Sequence, residues 1–562
     1  MFSPNRNTLR VIVLFGLLLL PIIYALFTAI DLEYSLLKRG TYLAVVILML
    51  LIPAVFLKAR TYFIVEGVFN FFFFPIDISS LYLNRQSTST AFLENIIHTD
   101  FHESIELLVS MWPICVVVIA LWVLYFWLAI RLENRYLLPP IIRNIVLISI
   151  PVTFMMGMLC MTLILTQVYK ERPLGSTLTD AVDMMWMKLY KIYPYNLYLE
   201  TADIIRATQH QRNLQKQVDD FYFGIQSMPK DSAALYVLVI GETARYDHFS
   251  INGYNRPTSP LLAFTRNLIS YDSAFSQANL TRPSIPLILT RATADCPEKA
   301  YSEKSLPEAF QEAGFQVGFI SKQIPIGIIP RIMSACDYSH NYAKGIDVLN
   351  NYDEDMINEM RKWNNDTLQF FVLHSLGCHF RYELRYPSEF AVFQPTFGNS
   401  FSYSMITEEN KEQLVNAYDN AILYTDYFLS QLIAYMDSLN RPAIMLYMSD
   451  HGESFWDDER KLSLHGSYQV SEYEYHVPLL VWYSDEYMTN YPEKVKTMQQ
   501  NKTTPVSSDV VFYSLLDAAG IDDIVDSTRS ICSPYLKAQD TLTIITGSGS
   551  TERWAIPRPS IP

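Results

Sequence analysis

The stretch Ile444-Met445-Leu446-Tyr447-Met448-Ser449-Asp450-His451-Gly452-Glu453-Ser454 begins with five apolar or aromatic residues and continues directly into a carboxylate, an imidazole and a glycine. The apolar run predicts a buried strand, and Ser, Asp and Gly are frequent in turns. In open α/β sheets, however, ligands and catalytic groups gather at the carboxyl ends of the strands. Asp450 and His451 are therefore either turn residues or neighbouring metal ligands, and the dipeptide alone does not decide between them.

Residues 231–562 contain four further apolar runs, separated by stretches of helical character. The runs are Leu235–Ile240, Val317–Ile320, Gln369–Leu373 and Val477–Trp482, and the helical segments include Ser305–Ala313 and Glu409–Leu439. Such alternation predicts a mostly parallel sheet covered by helices on both faces. We therefore predict an α/β domain over residues 231–562, ending in a disordered tail at Pro557-Arg558-Pro559.

The first 166 residues have a different character, because nearly all the long apolar runs fall there. Five segments come near the ~20 residues needed to cross a bilayer: roughly 11–30, 41–57, 61–83, 109–130 and 144–166. The third is the most polar, with Glu66, Asn70 and Asp77 among its phenylalanines. We predict a five-helix transmembrane domain over residues 1–166.

The basic residues between these segments predict the orientation in the membrane. One side carries Arg6, Arg10, Lys58, Arg60, Arg131, Arg135 and Arg143, and the other only Lys38, Arg39 and Arg85. By the positive-inside rule the first side is cytoplasmic, so an odd number of spans exports everything after the fifth. Residues 167–230 are predicted to form a helical bridge along the membrane surface, with Trp186 at the interface. A net charge of −14 argues against a nucleic-acid partner.

Six cysteines fit this topology. Cys115 and Cys160 lie in predicted spans, which leaves Cys296, Cys336, Cys378 and Cys532 in the exported part. Four thiols in an oxidising compartment allow three pairings. We favour a Cys296–Cys336 disulfide, although the sequence does not choose among the three.

A second carboxylate follows a predicted strand at Gly241-Glu242-Thr243. Together with Asp450 and His451, Glu242 would supply three ligands of the types that zinc and manganese accept. The loop Asn279–Pro286, which precedes a predicted helix, adds Thr281. A hydroxyl is a poor nucleophile at neutral pH, but a metal ion lowers its pKa. Surface threonines are common, so Thr281 by itself establishes nothing.

Further histidines follow apolar runs or precede glycine, as in Leu373-His374 through His379 and in Leu464-His465-Gly466. Taken singly, a histidine in such a place is more often structural than catalytic. That structural interpretation is retained for His374, His248, His340 and His476.

In this order, the motifs resemble one family, the membrane-anchored phosphoethanolamine transferases of Gram-negative envelopes, within the alkaline phosphatase superfamily. The matching stretches are Gly241–Arg245, Asn252–Pro260, Thr281-x-x-Ser284-x-Pro286, Leu373–His379, Asn416–Asn420, Ser449–Ser454 and Leu464–Gly466, with Tyr193-Pro194-Tyr195 in the bridge. The resemblance spans nearly the whole chain. It implies an alkaline-phosphatase-like α/β/α domain on the periplasmic side of the bacterial inner membrane.

The resemblance also implies roles for individual residues. Glu242, Thr281, Asp450 and His451 would hold a catalytic zinc ion, with Thr281 also the nucleophile; a second zinc ion is compatible with this set, and zinc is favoured over manganese. His379 and His465 would contact the phosphoethanolamine group and serve in acid catalysis. Lys322 is the basic residue that lipid A enzymes of the family carry after the matching strand, and it would contact the headgroup. Their asparagines are absent from the stretch Lys322–Ile326.

The implied reaction moves phosphoethanolamine from phosphatidylethanolamine to lipid A or another lipopolysaccharide acceptor, through a covalent intermediate on Thr281. The protein would act as a monomer, and the added amine would weaken binding of cationic peptides such as polymyxin. The segment Arg381–Pro387 is closer to relatives that modify core sugars. A core sugar or another envelope glycan therefore remains an alternative acceptor.

Three other functions share part of this pattern. A sulfatase needs a Cys or Ser in a Cys/Ser-x-Pro-x-Arg motif, and Cys296-Pro297-Glu298 does not fit it. A glycerophosphate transferase of the lipoteichoic acid type shares the spans, the threonine and similar ligands, and differs in its donor, phosphatidylglycerol. A non-catalytic membrane protein would be expected to lack at least one of Glu242, Thr281, Asp450 and His451, and all four are present.

Overall fold

Two units make up the protein, Met1–Ala207 and Thr208–Pro562. The structure is a computed structural model that describes residues 6–28, 36–84, 88–98, 112–168, 178, 181–182, 193–227, 229–344, 352–398 and 405–556. Trp186, Arg85 and the predicted tail Pro557-Arg558-Pro559 lie outside the described residues.

The described part of the first unit is helical. Its helices are Arg6–Leu18, Leu20–Thr28, Leu36–Phe56, Ala59–Asn84, Thr90–His98, Trp112–Ile130 and Pro140–Val168, followed by Tyr195–Gln215, which continues into the second unit. Among the described residues, three stretches are long and apolar enough to cross a membrane: Arg6–Thr28, Ala59–Leu81 and Pro140–Thr166. Two shorter apolar helical stretches, Tyr42–Phe56 and Cys115–Ile130, coincide with the other two predicted spans.

Several of the basic residues predicted to share one side of the membrane meet in the first unit. Arg10 Nη1 donates a hydrogen bond to the carbonyl oxygen of Arg131 at 2.6 Å. Arg60 donates to the carbonyl oxygen of Leu132 at 2.8 and 3.0 Å. The N–H of Ala59 donates to the carbonyl oxygen of Arg135 at 2.8 Å. These contacts place the connection between Phe56 and Ala59 and the connection between Ile130 and Pro140 at the same end of the helices.

The polar residues of the third predicted span face the interior of the first unit. Glu66, Asn70 and Asp77 are buried, and their spacing puts them on one side of the helix Ala59–Asn84. Tyr193 donates to the side-chain oxygen of Asn70, and Asn196 donates to Asp77 Oδ1 at 3.0 Å. The segment that begins at Tyr193 is thus bound to this polar side.

The second unit contains a seven-stranded sheet in the order β2-β10-β7-β1-β6-β4-β5. Its strands are β1 Ala234–Gly241, β2 Leu268–Tyr271, β4 Gln316–Ser321, β5 Tyr338–Asn341, β6 Leu368–His374, β7 Ala443–Ser449 and β10 Leu479–Tyr483. β5, β4, β6, β1 and β7 are parallel, and β10 is antiparallel to both β7 and β2. The predicted, mostly parallel sheet is therefore confirmed.

Helices cover both faces of this sheet. They are Pro260–Ala263, Thr281–Leu289, Lys299–Ser302, Leu306–Glu312, Ile329–Ala335, Asp355–Trp363, Lys411–Asp437, Glu472–Tyr475, Asp485–Asn490, Pro492–Gln500 and Val510–Ala518. Alternate residues of β1 enter two different apolar cores, Tyr236 and Leu238 on one face and Leu235 and Val237 on the other. A strand covered on both faces is apolar throughout, which explains the unbroken hydrophobic runs in the sequence.

Three small sheets complete the second unit. β3 (Ala274–Phe275) pairs with β11 (Val506–Ser507), and β8 (Ser454–Phe455) pairs with β9 (Ser463–Leu464). β12 (Thr541–Ile545) and β13 (Thr551–Ala555) form an antiparallel pair near the C-terminus.

The favoured disulfide between Cys296 and Cys336 is absent, and all six cysteines, which the structure describes, are free thiols. Cys296 Sγ donates to Glu298 at 2.8 Å, and Cys336 Sγ donates to the carbonyl oxygen of Ile332 at 3.2 Å. Cys378 and Cys532 are buried in the cores on opposite faces of the sheet. Because the sheet lies between Cys378 and Cys532, these two thiols do not form a disulfide with each other.

Candidate active site

The carboxyl ends of two adjacent strands bring Glu242 and Asp450 together. β1 and β7 run in parallel with Gly241 opposite Ser449, so each carboxylate is the first residue after its strand. The N–H of Asp450 donates to the carbonyl oxygen of Gly241 at 3.0 Å, which continues the ladder by one bond. Both side chains are fully buried. This register explains why two residues far apart in the sequence share one site.

Thr281 is the first residue of the helix Thr281–Leu289, where the sequence predicted a loop. Pro283 falls in the first turn of that helix, where backbone N–H groups have no acceptor within the helix, so it does not prevent the helix from starting there. Thr281 Oγ1 lies 3.2 and 3.3 Å from the two carboxylate oxygens of Glu242 and 3.3 Å from His451 Nε2. The hydroxyl therefore sits directly against the strand-end cluster.

The donor atoms of this cluster fit a divalent cation. Glu242, Asp450 and His451 each offer one ligand atom, and these atoms lie within 4.8 Å of one another. Asp450 Oδ1 accepts hydrogen bonds from the N–H groups of Thr243 and His451, at 3.0 and 2.7 Å. Its buried Oδ2 has no hydrogen-bond partner among the described residues. Carboxylate and imidazole ligands of this kind suit zinc.

The tautomer of His451 also fits metal binding. Its Nδ1 lies 2.9 Å from the carbonyl oxygen of Gly452, to which it donates, so the lone pair is on Nε2. Nε2 is 3.6 Å from Glu242 Oε1 and 3.5 Å from Asp450 Oδ2. Burial, with the positive field of His465, lowers the pKa of His451 to about 3, so the ring is neutral near pH 7. A neutral imidazole is the form that binds metal.

Two buried carboxylates side by side repel each other when both are charged. Burial and the charge of Glu242 raise the pKa of Asp450 well above its usual value. For Glu242 burial also raises the pKa, but the interactions with the neighbouring imidazoles of His451 and His379 outweigh it, and the pKa is lowered. A bound cation would remove this conflict by allowing both carboxylates to ionise.

Thr243 holds a strained backbone conformation beside the cluster, with φ of 58°. A β-branched residue rarely adopts a positive φ, and surrounding contacts must enforce it. The Thr243 hydroxyl donates to Glu242 Oε1 at 2.6 Å, and its carbonyl oxygen accepts from the hydroxyl of Tyr418 at 2.7 Å. These bonds fix the carboxylate of Glu242 in place.

His465 lies beside His451, with ring centroids 4.4 Å apart. Its Nδ1 is 3.1 Å from Glu453 Oε1, and the other oxygen of Glu453 accepts from the hydroxyl of Tyr382 at 2.7 Å. Burial lowers the pKa of His465, but the charge of Glu453 and the hydrogen bond to it prevail and raise it to about 9. His465 is therefore held as a cation beside His451.

Gln323, rather than Lys322, contacts a strand-end carboxylate, that of Glu242. Gln323 Nε2 donates to Glu242 Oε2 at 2.7 Å and to the carbonyl oxygen of Ser375 at 2.8 Å. Lys322 is buried, and its Nζ donates to Asp355 at 3.0 Å and lies 3.9 Å from the centre of the Tyr342 ring. The predicted headgroup contact of Lys322 would require it to leave Asp355.

The other predicted residues divide into two groups. His379 acts electrostatically on the pKa of both Glu242 and His451, which places it near the strand-end cluster. His374 is buried, and its Nδ1 lies 3.2 Å from the Ser321 hydroxyl. Burial lowers the pKa of His374 to about 4, in agreement with the structural interpretation.

Four residues that organise the site were not predicted from the sequence: Thr243, Gln323, Tyr418 and Glu453. Thr243, Tyr418 and Glu453 lie inside stretches already singled out as motifs, so the signal was present but their roles were not assigned. Gln323 follows β4 and lies in the stretch Lys322–Ile326, which lacks the asparagines of the family pattern. Its contact with Glu242 depends on the neighbouring positions of β4, β6 and β1 in the sheet.

Residues 234–521 match the sulfatase family. This match covers about half of the chain and contains every strand-end residue described above. The chain belongs to the sulfatase family. Membership of this family does not by itself identify the ester that the protein acts on.

One relative of this sulfatase-family protein is the Kdo(2)-lipid A phosphoethanolamine 7''-transferase of Escherichia coli strain K12. It is 30% identical over 337 residues, which are 56% of this chain and 54% of the relative. The match thus spans about half the length of the curated relative.

Two solved structures have the same fold. The integral membrane lipooligosaccharide phosphoethanolamine transferase A of Neisseria meningitidis has a TM-score of 0.66 and 20% identity, covering 92% of this chain and 98% of that chain. The C-terminal periplasmic domain of Escherichia coli EptC in complex with zinc has a TM-score of 0.52 and 22% identity, covering 59% of this chain and 97% of that chain. The first likeness extends the shared fold to the apolar N-terminal helices.

Proposed function

We propose that the protein transfers phosphoethanolamine from phosphatidylethanolamine to lipid A or another lipopolysaccharide acceptor, using Thr281 as the nucleophile at a zinc site. The observation that carries the proposal is the position of Thr281 Oγ1, 3.2 to 3.3 Å from Glu242 and His451. His451 Nε2 in turn lies 3.5 Å from Asp450 Oδ2, a buried oxygen that has no hydrogen-bond partner among the described residues. The printed names of the matched relatives, which are phosphoethanolamine transferases, agree with this chemistry.

The side chains supply orientation and proton transfer. Glu242 accepts a hydrogen bond from Thr281 and holds its oxygen toward the site. A zinc ion held by Glu242, Asp450, His451 and Thr281 would polarise the donor phosphate and lower the pKa of the hydroxyl. In the first displacement, the Thr281 oxygen, having already lost its proton to solvent, forms a bond to phosphorus while the bond from phosphorus to the diacylglycerol oxygen breaks.

His465 is suited to protonate the departing diacylglycerol oxygen, because Glu453 keeps it cationic. In the second displacement, an acceptor oxygen attacks the phosphorus on Thr281 and releases the threonine. If the acceptor is a hydroxyl, His465 takes its proton and is ready for the next cycle. His379 would assist in the same role or contact the phosphoethanolamine group.

The membrane arrangement belongs to the same proposal. Five spans would occupy residues 1–166, a surface bridge 167–230, and the catalytic domain 231–562 would face the periplasm. The shared end of Arg10, Arg60 and the Arg131 connection supports a single cytoplasmic side. Donor and acceptor lipids then lie in the leaflet nearest the active site, and a monomer suffices.

The acceptor has two candidates, a lipid A phosphate and a core sugar. The name of the Escherichia coli relative, Kdo(2)-lipid A phosphoethanolamine 7''-transferase, supports the second of these candidates, the sugar acceptor. If the protein were instead a glycerophosphate transferase, its donor would be phosphatidylglycerol. The same assay separates these possibilities.

The test uses the full-length protein in detergent with phosphatidylethanolamine labelled in its headgroup. We expect mass spectrometry to find phosphoethanolamine on Thr281 when the acceptor is withheld, and on a glycolipid when it is supplied. Label on another residue, or consumption of phosphatidylglycerol in place of phosphatidylethanolamine, would overturn the proposal. Thr489→Ala, at an exposed helical threonine, is the matched control for Thr281→Ala.

A further inference from the structure

A cavity of about 420 Å³ lies in the second unit, outside the strand-end cluster. Its described lining consists of Gln277, Thr293, Asp295, Ser507, Asp509, Arg529, Gln539, Thr541, Leu542, Thr543 and Arg553. All of these side chains except Leu542 carry hydrogen-bonding groups. A wall of this composition does not favour an acyl chain or an aromatic ligand, and its volume is in the range of small-ligand sites.

Gln277 provides a buried donor without a partner. It is only 4% exposed, and its side-chain oxygen accepts from the N–H of Ala294 at 2.8 Å. That bond fixes the orientation of the amide, so the nitrogen points the other way. Among the described residues, this nitrogen has no hydrogen-bond partner. A buried donor left unpaired is costly, and a ligand hydroxyl in the cavity would satisfy it.

The formal charges of the wall balance, with two carboxylates and two guanidinium groups, so an anionic ligand would be recognised by one particular arginine. Asp509 is already paired with Arg529 at 3.3 Å, and Asp295 accepts from the hydroxyl of Thr543 at 2.8 Å. Arg553, on β13, is exposed and forms none of the ion pairs found within the described ranges. An exposed guanidinium beside many neutral donors and acceptors suits a ligand with hydroxyls and one phosphate or carboxylate.

The cavity is connected to the nucleophile through a short piece of backbone. Gln277 lies four residues before Thr281, so their Cα atoms are at most ~14 Å apart. The carbonyl oxygen of Gln277 accepts from the N–H of Ile545 at 2.7 Å, which ties this loop to the β12–β13 hairpin that carries part of the wall. A saccharide of a few sugar residues is long enough to span the distance between Gln277 and Thr281.

We propose that this cavity binds an anionic saccharide of the glycolipid acceptor while a neighbouring part of the same molecule is presented to Thr281. The inference rests on the proposed function, because it assigns a place to the acceptor of that reaction. Gln277 donates to a sugar hydroxyl, and Arg553 pairs with a phosphate or carboxylate on the saccharide. The cavity thus selects the acceptor and takes no part in cleavage of the donor.

The test measures two half-reactions of the full-length protein in detergent. We expect Arg553→Ala and Gln277→Leu to leave loading of Thr281 from labelled phosphatidylethanolamine unchanged and to raise KM for the glycolipid acceptor about tenfold. Arg266→Ala, at an exposed arginine outside the cavity, is the matched control and keeps the wild-type KM. If Gln277→Leu fails to fold, Arg553→Ala, at the exposed rim, still gives the answer.

Calorimetry with deacylated core oligosaccharide as the probe measures binding directly. We expect the wild type and Arg266→Ala to bind it equally, and Arg553→Ala about tenfold more weakly. Equal binding by Arg553→Ala, no binding by the wild type, or tighter binding of an uncharged oligosaccharide would overturn the proposal. Failure of the wild type to load Thr281 would instead refute the proposed function, so the two failures are distinguishable.

Discussion

Two fully buried carboxylates of the second unit have opposite surroundings. Glu474 accepts hydrogen bonds through both oxygens, from Asn279 at 2.7 Å, Ser454 at 2.8 Å and the N–H of Ser467 at 3.2 Å. Asn279 precedes Thr281 by two residues, so Glu474 anchors the segment that leads to the nucleophile. With its oxygens bonded to neutral donors, Glu474 is a structural carboxylate.

Asp450 has the other arrangement, because only its Oδ1 is bonded and its Oδ2 faces Glu242 and His451 without a donor. Burial raises the pKa of both Asp450 and Glu474. The difference lies in what relieves that cost: three neutral donors contact the oxygens of Glu474, whereas Oδ2 of Asp450 has no donor among the described residues. The comparison teaches that an unpaired oxygen, more than burial or an altered pKa, distinguishes a candidate metal ligand from an anchor.

The largest expected effect comes from Thr281→Ala. Removing the hydroxyl removes the atom that bonds to phosphorus, so transfer should fall by about 10³-fold or more. Zinc content, measured by elemental analysis, should be only partly reduced because three ligands remain. Wild-type rates of transfer in Thr281→Ala would contradict the assignment of the nucleophile.

Asp450→Asn tests the metal ligand against Glu474→Gln, which makes the same chemical change at the anchor. Asp450→Asn should lose bound zinc and transfer activity together, since it removes the charge that offsets the cation. Chelation followed by added zinc should restore the wild type but not this variant. Retention of zinc by Asp450→Asn would contradict the assignment of Asp450 as a ligand. Loss of zinc from Glu474→Gln with the fold intact would contradict the assignment of Glu474 as an anchor.

Glu474→Gln should chiefly affect stability. The amide replaces one acceptor oxygen with a donor that faces another donor, so we expect a loss of about 1–3 kcal/mol. A lower thermal midpoint of the detergent-solubilised protein measures this. Ser334→Ala, at an exposed serine with only a local bond to Arg331, is the control and should leave the midpoint unchanged. An unaltered midpoint in Glu474→Gln would refute its anchoring role.

The smallest effect is expected at the end of β4. Gln323→Ala removes the amide that orients Glu242, and such supporting bonds to ligands contribute roughly 10–100-fold in metal affinity or activity. A zinc titration with a competing chelator measures the change. Lys322→Met, at the adjacent residue, should leave zinc affinity unchanged. A raised KM for the donor in Lys322→Met would establish the headgroup contact that the sequence predicts.

Much of the fold was predictable from the sequence, because the relevant signals are local. The unbroken apolar runs at Leu235 and Ile444 indicate strands buried on both faces, and each run ends in an acidic residue at a sheet edge. The long helix Lys411–Asp437 and the apolar N-terminal helices were evident for the same reason. The helical start at Thr281 was missed, since two nearby prolines outweighed the pattern.

By itself, the sequence determined which elements form and which residue types lie at their ends, because hydrophobic periodicity and turn chemistry act over a few neighbouring residues. Only the tertiary structure decided that the sheet register brings Glu242, Thr281, Asp450 and His451 into contact. It also decided that Gln323 orients Glu242, that Glu453 raises the pKa of His465, and that no disulfide joins Cys296 and Cys336. Those outcomes depend on strand order and on hydrogen bonds between residues distant in the chain, which local patterns do not encode.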